Sequence, residues 1–110
     1  NRLDNKKFHT FIVQRALLDD IEFLDKIGFI KIDVEGHELS VLEGAKLLLK
    51  RDKPNLLIEI DKRYNMKVNQ IFEFLKDLNY QAFFYNGVQL IKISKYEDNI
   101  RNDYRNFIFR

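Results

Sequence analysis

The sequence predicts an α/β fold, with parallel strands followed by an antiparallel hairpin at the carboxyl end. The first observation is a strand, helix, strand pattern between Phe29 and Ile60, and such a crossover within one sheet is almost always parallel. The second is Asn86-Gly87 between two β-like segments, a strong hairpin signal. With 110 residues, 45% of them hydrophobic, we expect one domain over residues 1–110.

The elements before the crossover helix can be predicted in chain order. The apolar run 11–13 fits a short strand. Asp19 and Glu22 have the spacing of a capping box, which predicts a short helix that stops at Gly28. Residues 29–34 are almost all apolar or β-branched, and this predicts a strand buried on both faces of a parallel sheet.

From His37 the apolar spacing changes to about 3.6 residues, which predicts one helix that ends before Pro54. A second buried strand is expected over Asn55–Ile60. The remaining expected elements are a helix over Val68–Leu78 that stops at Asn79, hairpin strands over Gln81–Tyr85 and Val88–Ile93, and a last strand over Asn106–Phe109.

Composition excludes several classes of protein. The chain has no Cys, which excludes disulfides, thiolate metal sites and Cys nucleophiles, and favours a reducing compartment, so we expect a cytoplasmic location. A formal charge of +2 predicts no nucleic-acid partner. No apolar run approaches the roughly 20 residues that cross a bilayer, and we expect no membrane association.

The carboxylates beside the two parallel strands are the first candidate site residues, because open α/β sheets bind ligands at the carboxyl ends of their strands. Asp33 lies within an apolar segment, where burial costs several kcal/mol unless the acid is hydrogen-bonded or faces a polar cleft. The same argument about the cost of burying an acid applies to Glu59. Glu35 and Glu38 are candidates too, although they could equally complement the start of the next helix.

Two further residues of the same turn are candidates. His37 begins a helix, where a neutral imidazole could act as acceptor or base, and an ordinary surface histidine is an equal alternative. Gly36 permits a turn that a Cβ would hinder. The oxygens of Asp33, Glu35 and Glu59 suit Mg²⁺ or Ca²⁺, but their spacing is not diagnostic, so we expect no metal site.

The basic residues predict no additional site. Those between Lys46 and Arg63 are interpreted as a solvated face rather than a phosphate-binding patch. The arginines of the tail, among them Arg105, are interpreted in the same way.

The stretch from Phe29 to Ala45 closely resembles the segment that marks the FkbM family of S-adenosylmethionine-dependent methyltransferases. That family carries an L-D element, K-I-D-V-E-G-x-E, L-x-G-A, and a proline followed by a strand that ends in Glu. The matching residues here are Leu18-Asp19, Lys31 to Gly36 with Glu38, Leu42 with Gly44-Ala45, Pro54 and Glu59.

The resemblance implies a Rossmann-like class I methyltransferase fold and methyl transfer from S-adenosylmethionine, which we expect to reach the hydroxyl of a small molecule or sugar. By analogy the acidic residues face the methyl-transfer cleft. The expected roles are Asp33 or His37 as the catalytic base, Glu35, Glu38 and Glu59 as substrate-binding residues, and Gly36 as a cofactor contact.

One feature of the family has no match in this sequence. Family members bind the cofactor through a glycine-rich loop and an acidic residue that precede this segment, and nothing before Phe29 supplies them. We therefore expect the carboxyl-terminal part of a methyltransferase domain, inactive alone. The alternative is a non-catalytic binding or assembly module that keeps half of the sheet and self-associates through its uncovered edge.

Overall fold

A computed structural model describes residues 10, 12, 14–61, 63, 67–96 and 105–110, which form a five-stranded sheet with helices. The strands are β1 (Phe29–Ile32), β2 (Asn55–Glu59), β3 (Ala82–Tyr85), β4 (Leu90–Ile93) and β5 (Asn106–Phe109). The helices are α1 (Glu38–Glu43), α2 (Lys46–Asp52) and α3 (Val68–Asp77), preceded by a 3-10 turn over Leu18–Asp20.

The sheet is mixed, with strand order β1-β2-β5-β3-β4. β1 and β2 are parallel, and β5 is antiparallel to both β2 and β3. β3 therefore runs in the same direction as β1 and β2, with β5 between β2 and β3. The antiparallel pair β3 and β4 forms the expected hairpin. The mixed α/β class, the parallel crossover and the last strand are confirmed.

The core lies where α3 packs on the middle of the sheet. Phe72 on α3 contacts Phe107 and Phe109 edge to face, with ring centroids 5.6 and 5.3 Å apart, a favourable geometry for aromatic pairs. Ile71 and Leu75 are fully enclosed on the same helix face. The predicted apolar stripe of α3 is thus the face that the helix buries.

The expectation that the first strand is buried on both faces is wrong. Phe29 is 58% exposed and Lys31 is also exposed, while Ile32 is buried. The reason is that Phe29 and Lys31 lie on the same face of β1, and only the opposite face, with Ile30 and Ile32, packs against the core. β1 also ends at Ile32, two residues earlier than predicted.

The crossover contains two helices rather than the single one predicted, because the chain leaves the helical path at Gly44 and Ala45. Gly44 lies against Leu17, and a Cβ at position 44 would come within 2.9 Å of the Leu17 Cδ2 atom. The Asp19 side chain caps the start of the second helix, because its carboxylate accepts hydrogen bonds from the N–H groups of Leu47 and Leu48 at 3.0 and 2.9 Å.

That contact also explains why the predicted helix between Asp19 and Gly28 is wrong. Only Leu18–Asp20 are helical, as a 3-10 turn, because the Asp19 side chain caps α2 and is not available for a local capping box. Phe11 and Val13, from the predicted first strand, lie outside the described residues.

The hairpin connection is longer than the two residues expected. β3 ends at Tyr85 and β4 begins at Leu90, so four residues join them. The Asn86 Oδ1 atom accepts hydrogen bonds from the N–H groups of Val88 and Gln89, and Gly87 has φ of 98°. The Asx turn stabilises this loop in place of the shorter turn.

The turn between β1 and α1 has the conformation that its glycine predicts. Gly36 has φ of 94°, and the preceding Glu35 also has positive φ, at 37°. A left-handed conformation is strained for a residue with a Cβ, and it occurs here beside the end of a parallel strand. No helix in the described part of the chain is long and apolar enough to span a membrane.

Candidate functional site

A cavity of about 150 Å³ lies at the carboxyl ends of β1 and β2, the edge of the sheet where α/β proteins bind ligands. Its walls come from the turn after β1, the start of α1 and the end of β2. The lining residues are Asp33, Glu35, Glu38, Glu59, Asp61, Arg63 and Arg105. All four carboxylates predicted from the sequence are therefore brought together in one place.

Asp33 and Glu59 form a carboxyl pair at the centre of this group. The register aligns Ile32 with Ile58, so the next residue of each chain segment lies side by side at the strand ends. The charge of Asp33, together with burial and hydrogen bonding to Asp33, raises the pKa of Glu59, while Arg105 and Lys31 lower it.

Asp33 reaches the cavity for a different reason from the one predicted. It was expected inside a buried strand, but β1 ends before it and the residue is exposed. The pairing with Glu59, rather than burial, is what distinguishes this carboxylate from other surface acids.

Glu38 is the most deeply buried acid of the cavity, with 1% of its surface exposed. Its Oε2 atom has no hydrogen-bond partner among the described residues. An unsatisfied buried polar atom destabilises a fold by about 1–3 kcal/mol, and native structures contain few of them. Glu38 begins α1, so the helix fixes it beside the cavity.

Asp61 is held by two arginines that line the same cavity. The Arg63 Nη2 atom lies 2.7 Å from Asp61 Oδ2, and Arg105 Nη1 lies 3.4 Å from the same oxygen. The hydrogen bonds from Arg63 hold the pKa of Asp61 at about 2. The Ile60 N–H donates to the Arg105 carbonyl at 2.7 Å, which fixes the backbone of Arg105 beside the end of β2.

Sequence reasoning missed Arg63 and Arg105 as residues of this cavity. Both were interpreted as solvated surface charges. For Arg63 the signal was its position two residues after an acid at a strand end, a spacing that forms a local ion pair. Arg105 could not be found in this way, because only the antiparallel pairing of β5 with β2 brings it to the cavity.

His37 and Gly36 do not line the acidic cavity. His37 is exposed, and it lines a separate cavity of about 570 Å³ with residues that include Arg15, Leu17 and Ser40. Gly36 lies in the turn between the two cavities. The two predicted bases, Asp33 and His37, therefore belong to different cavities.

The carboxylates do not converge as metal ligands do. Within the described ranges, no group of three or more His, Asp or Glu side chains is placed to hold a metal ion. The arrangement instead places several carboxylate hydrogen-bond acceptors and two arginines around one cavity.

The sheet and its lining residues define an α/β protein with an acidic cavity at the carboxyl ends of its parallel strands. A family model described as the methyltransferase FkbM domain matches residues 3–82, more than half of the chain. The chain therefore belongs to the FkbM methyltransferase family, as its motif predicted. Separate searches of curated proteins and of solved structures gave no match.

Proposed function

We propose that this chain carries the acceptor side of an S-adenosylmethionine-dependent methyltransferase that methylates the hydroxyl of a small molecule or sugar. The observation that carries the proposal is that Asp33 and Glu59 lie side by side in one cavity at the strand ends of a family member. The lack of Cys supports a cytoplasmic location.

The strand order supports a Rossmann-like class I fold. Parallel strands joined by a helical crossover form one half of such a sheet, and β1, β2 and β3 run in the same direction here. β5 is the antiparallel strand between them. This arrangement accounts for the antiparallel carboxyl end that the family resemblance implies.

The Asp33 and Glu59 pair supplies the proton acceptor. S-adenosylmethionine, when bound, would supply the methyl group of its sulfonium, and breaking that carbon–sulfur bond would leave neutral S-adenosylhomocysteine. The acceptor hydroxyl must lose a proton as its oxygen forms the new bond, and a base within hydrogen-bond reach promotes this loss. The charge of Asp33 raises the pKa of Glu59, so the ionised Glu59 carboxylate is a stronger base than an ordinary glutamate.

The neighbouring residues position the reactants. Glu35 and Glu38 accept hydrogen bonds from the other hydroxyl or amine groups of the acceptor, and such positioning accounts for much of the acceleration in transfer reactions. Gly36 fits a cofactor contact, because its φ of 94° and missing Cβ leave the backbone open to a ligand. His37 lies in the other cavity, so we assign the proton-accepting role to the pair.

Titration of S-adenosylmethionine into the ¹⁵N-labelled chain tests the proposal. We expect amide shifts at Val34, Gly36 and Glu38, and none at the hairpin tip near Val88. The Gly36→Ala variant should lose these shifts because a Cβ at this position would face the ligand. Gly87→Ala is the matched control, since Gly87 also has positive φ, at 98°, and a Cβ there meets nothing within 4 Å. Shifts that survive Gly36→Ala, or that occur only at the hairpin, would contradict the cofactor contact.

The second candidate function is a non-catalytic assembly module. The observation in its favour is the edge position of β1 with its exposed Phe29, since an open edge strand can pair with another chain. Concentration-dependent association in sedimentation, combined with no response to S-adenosylmethionine, would favour this function over methyl transfer.

A further inference from the structure

The buried Glu38 carboxylate is the most informative feature of the acidic cavity. It is 1% exposed, lines the cavity, and its Oε2 atom lacks a partner among the described residues. A buried carboxylate without a hydrogen-bond partner lowers stability, and a protein can keep such a group when it binds a ligand. A ligand in the cavity would supply the hydrogen-bond donor that Glu38 Oε2 lacks.

The charges around Glu38 indicate which donor would fit. Five carboxyl groups and two guanidinium groups line the cavity. Both guanidinium groups contact Asp61. Lys31 does not line the cavity, but its positive charge lowers the pKa of Glu59. With five carboxyl groups against two guanidinium groups, the lining of the cavity therefore carries an excess of negative charge.

The size and geometry of the cavity narrow the choice further. At about 150 Å³ it is smaller than the 300–1,000 Å³ of typical ligand pockets, so it holds one end of a ligand. A divalent cation needs several oxygens at close and regular distances, and the described side chains do not converge in that way. A primary ammonium has three N–H donors and tolerates longer, more irregular spacing.

We propose that the acidic cavity binds the primary ammonium of an acceptor that carries this group close to its methylated hydroxyl, as in an amino alcohol or amino sugar. The inference rests on the proposed function and names its substrate class. Glu38 Oε2 is the main hydrogen-bond partner of the ammonium. The adjacent hydroxyl then lies toward Asp33 and Glu59, which take its proton.

Ethanolamine is the smallest probe that carries both groups, and ethylene glycol is its neutral counterpart of similar size. Titrations into the full 110-residue chain, followed by amide shifts of residues 33–38, should give an affinity for ethanolamine at least about tenfold higher than for ethylene glycol. Choline, which has the charge but no N–H donor, should bind like ethylene glycol. Equal affinities for ethanolamine and ethylene glycol would overturn the proposal.

Glu38→Gln tests the assigned partner. The substitution keeps the shape but replaces an acceptor oxygen and its charge with an amide, and we expect ethanolamine affinity to fall at least about tenfold. Glu43→Gln is the matched control, because Glu43 is an exposed acid on the same helix. An unchanged affinity in Glu38→Gln would overturn the role of Glu38.

Stability provides a second measurement on the same variant. If the Glu38 carboxylate serves ligand binding rather than folding, Glu38→Gln should raise the urea midpoint of the ligand-free chain. The reason is that the new amide can donate hydrogen bonds to the neighbouring carboxylates. A lower midpoint would show a structural role and would overturn the proposal.

Competition separates this inference from the proposed function. We expect ethanolamine and S-adenosylmethionine to bind together without displacing each other. If the cofactor displaces ethanolamine, the cavity holds the amino acid end of the cofactor, so the assignment to the acceptor fails while methyl transfer stands. If ethanolamine binds as expected and S-adenosylmethionine shifts no amide even at millimolar concentration, the cofactor contact at Gly36 fails while the ammonium site stands.

Discussion

The adjacent carboxyls of Asp33 and Glu59 make the stability of this protein depend on pH in an unusual direction. Asp33 and its hydrogen bond raise the pKa of Glu59, so the folded state holds this proton more tightly than the unfolded chain does. The stabilisation is complete at pH values below the ordinary Glu pKa of 4.5. It is lost as the pH rises through the raised pKa of the folded state.

The Glu59→Gln variant isolates this contribution. A glutamine donates an N–H to Asp33 permanently, as the protonated glutamate does, so we expect the variant to be more stable than the wild type at pH 7 and equally stable at pH 4. Urea unfolding at the two pH values measures the difference. Glu73→Gln, an exposed acid on α3, should show no such pH dependence. A Glu59→Gln variant that is less stable than the wild type at pH 7 would contradict the raised pKa of Glu59.

Asp61 and Asp52 give the stability of the protein the opposite pH dependence, because their contribution to stability decreases as the pH falls. Hydrogen bonds from Arg63 and from Arg51 hold the pKa values of Asp61 and Asp52, respectively, at about 2. Their stabilisation is present above the ordinary Asp pKa of 3.8 and is lost as the pH falls toward 2. Acid unfolding of this chain should therefore begin below pH 4, where the Glu59 contribution is already at its maximum.

The acids of the site could be found from the sequence, but their arrangement could not. Asp33, Glu35, Glu38 and Glu59 follow predictable strand ends, and the parallel pairing of β1 and β2 brings those ends together. Which acid is buried depends on packing around α1. The sequence therefore predicts Asp33 as the buried acid and leaves Glu38 open as a helix-capping residue. In the structure Asp33 is exposed and Glu38 is buried.

At the scale of elements, part of the family motif stabilises the fold rather than the site. The Leu18-Asp19 and Gly44-Ala45 pairs of the motif contact each other, since the Asp19 N–H donates to the Gly44 carbonyl at 2.9 Å. The Asp19 side chain also caps α2 across a separation of 28 residues. No local sequence pattern indicates a cap supplied from so far away, which is why the predicted single helix is two.

Asp19→Ala should destabilise the chain by about 0.5–2 kcal/mol, the usual range for loss of an N-terminal helix cap. Asp20→Ala is the matched control because Asp20 is exposed beside the capping residue, and we expect its free energy of unfolding to be nearly unchanged. Urea denaturation of both variants measures the effect. Equal losses in the two variants would show that the hydrogen bonds to Leu47 and Leu48 do not hold α2 in place.

At the scale of the whole molecule, the chain offers few groups to a dinucleotide-like cofactor. Rossmann-like sites use a G-x-G-x-x-G turn that lets the backbone approach the ligand closely, and the four glycines here are Gly28, Gly36, Gly44 and Gly87. Their spacing forms no such turn. Binding must therefore offset the loss of ligand freedom with the contacts near Gly36.

Titration calorimetry on the 110-residue chain should give a dissociation constant for S-adenosylmethionine no tighter than about 1 mM, which corresponds to about 4 kcal/mol. No methyl transfer is expected from the chain alone. Micromolar binding would show that these residues build a cofactor site without a glycine-rich turn. Such a result would also remove the physical reason for treating the chain as one part of a larger domain.

The position of β5 has a consequence for how this protein is made. β5 comes last among the described strands, yet it lies between β2 and β3 in the sheet, and its Phe107 and Phe109 are almost completely enclosed. During synthesis the ribosome must release residues 106–109 before the two halves of the sheet can join. Until then the sheet surface on which α3 packs is incomplete, and the apolar strands of the nascent chain are accessible to chaperones and proteases.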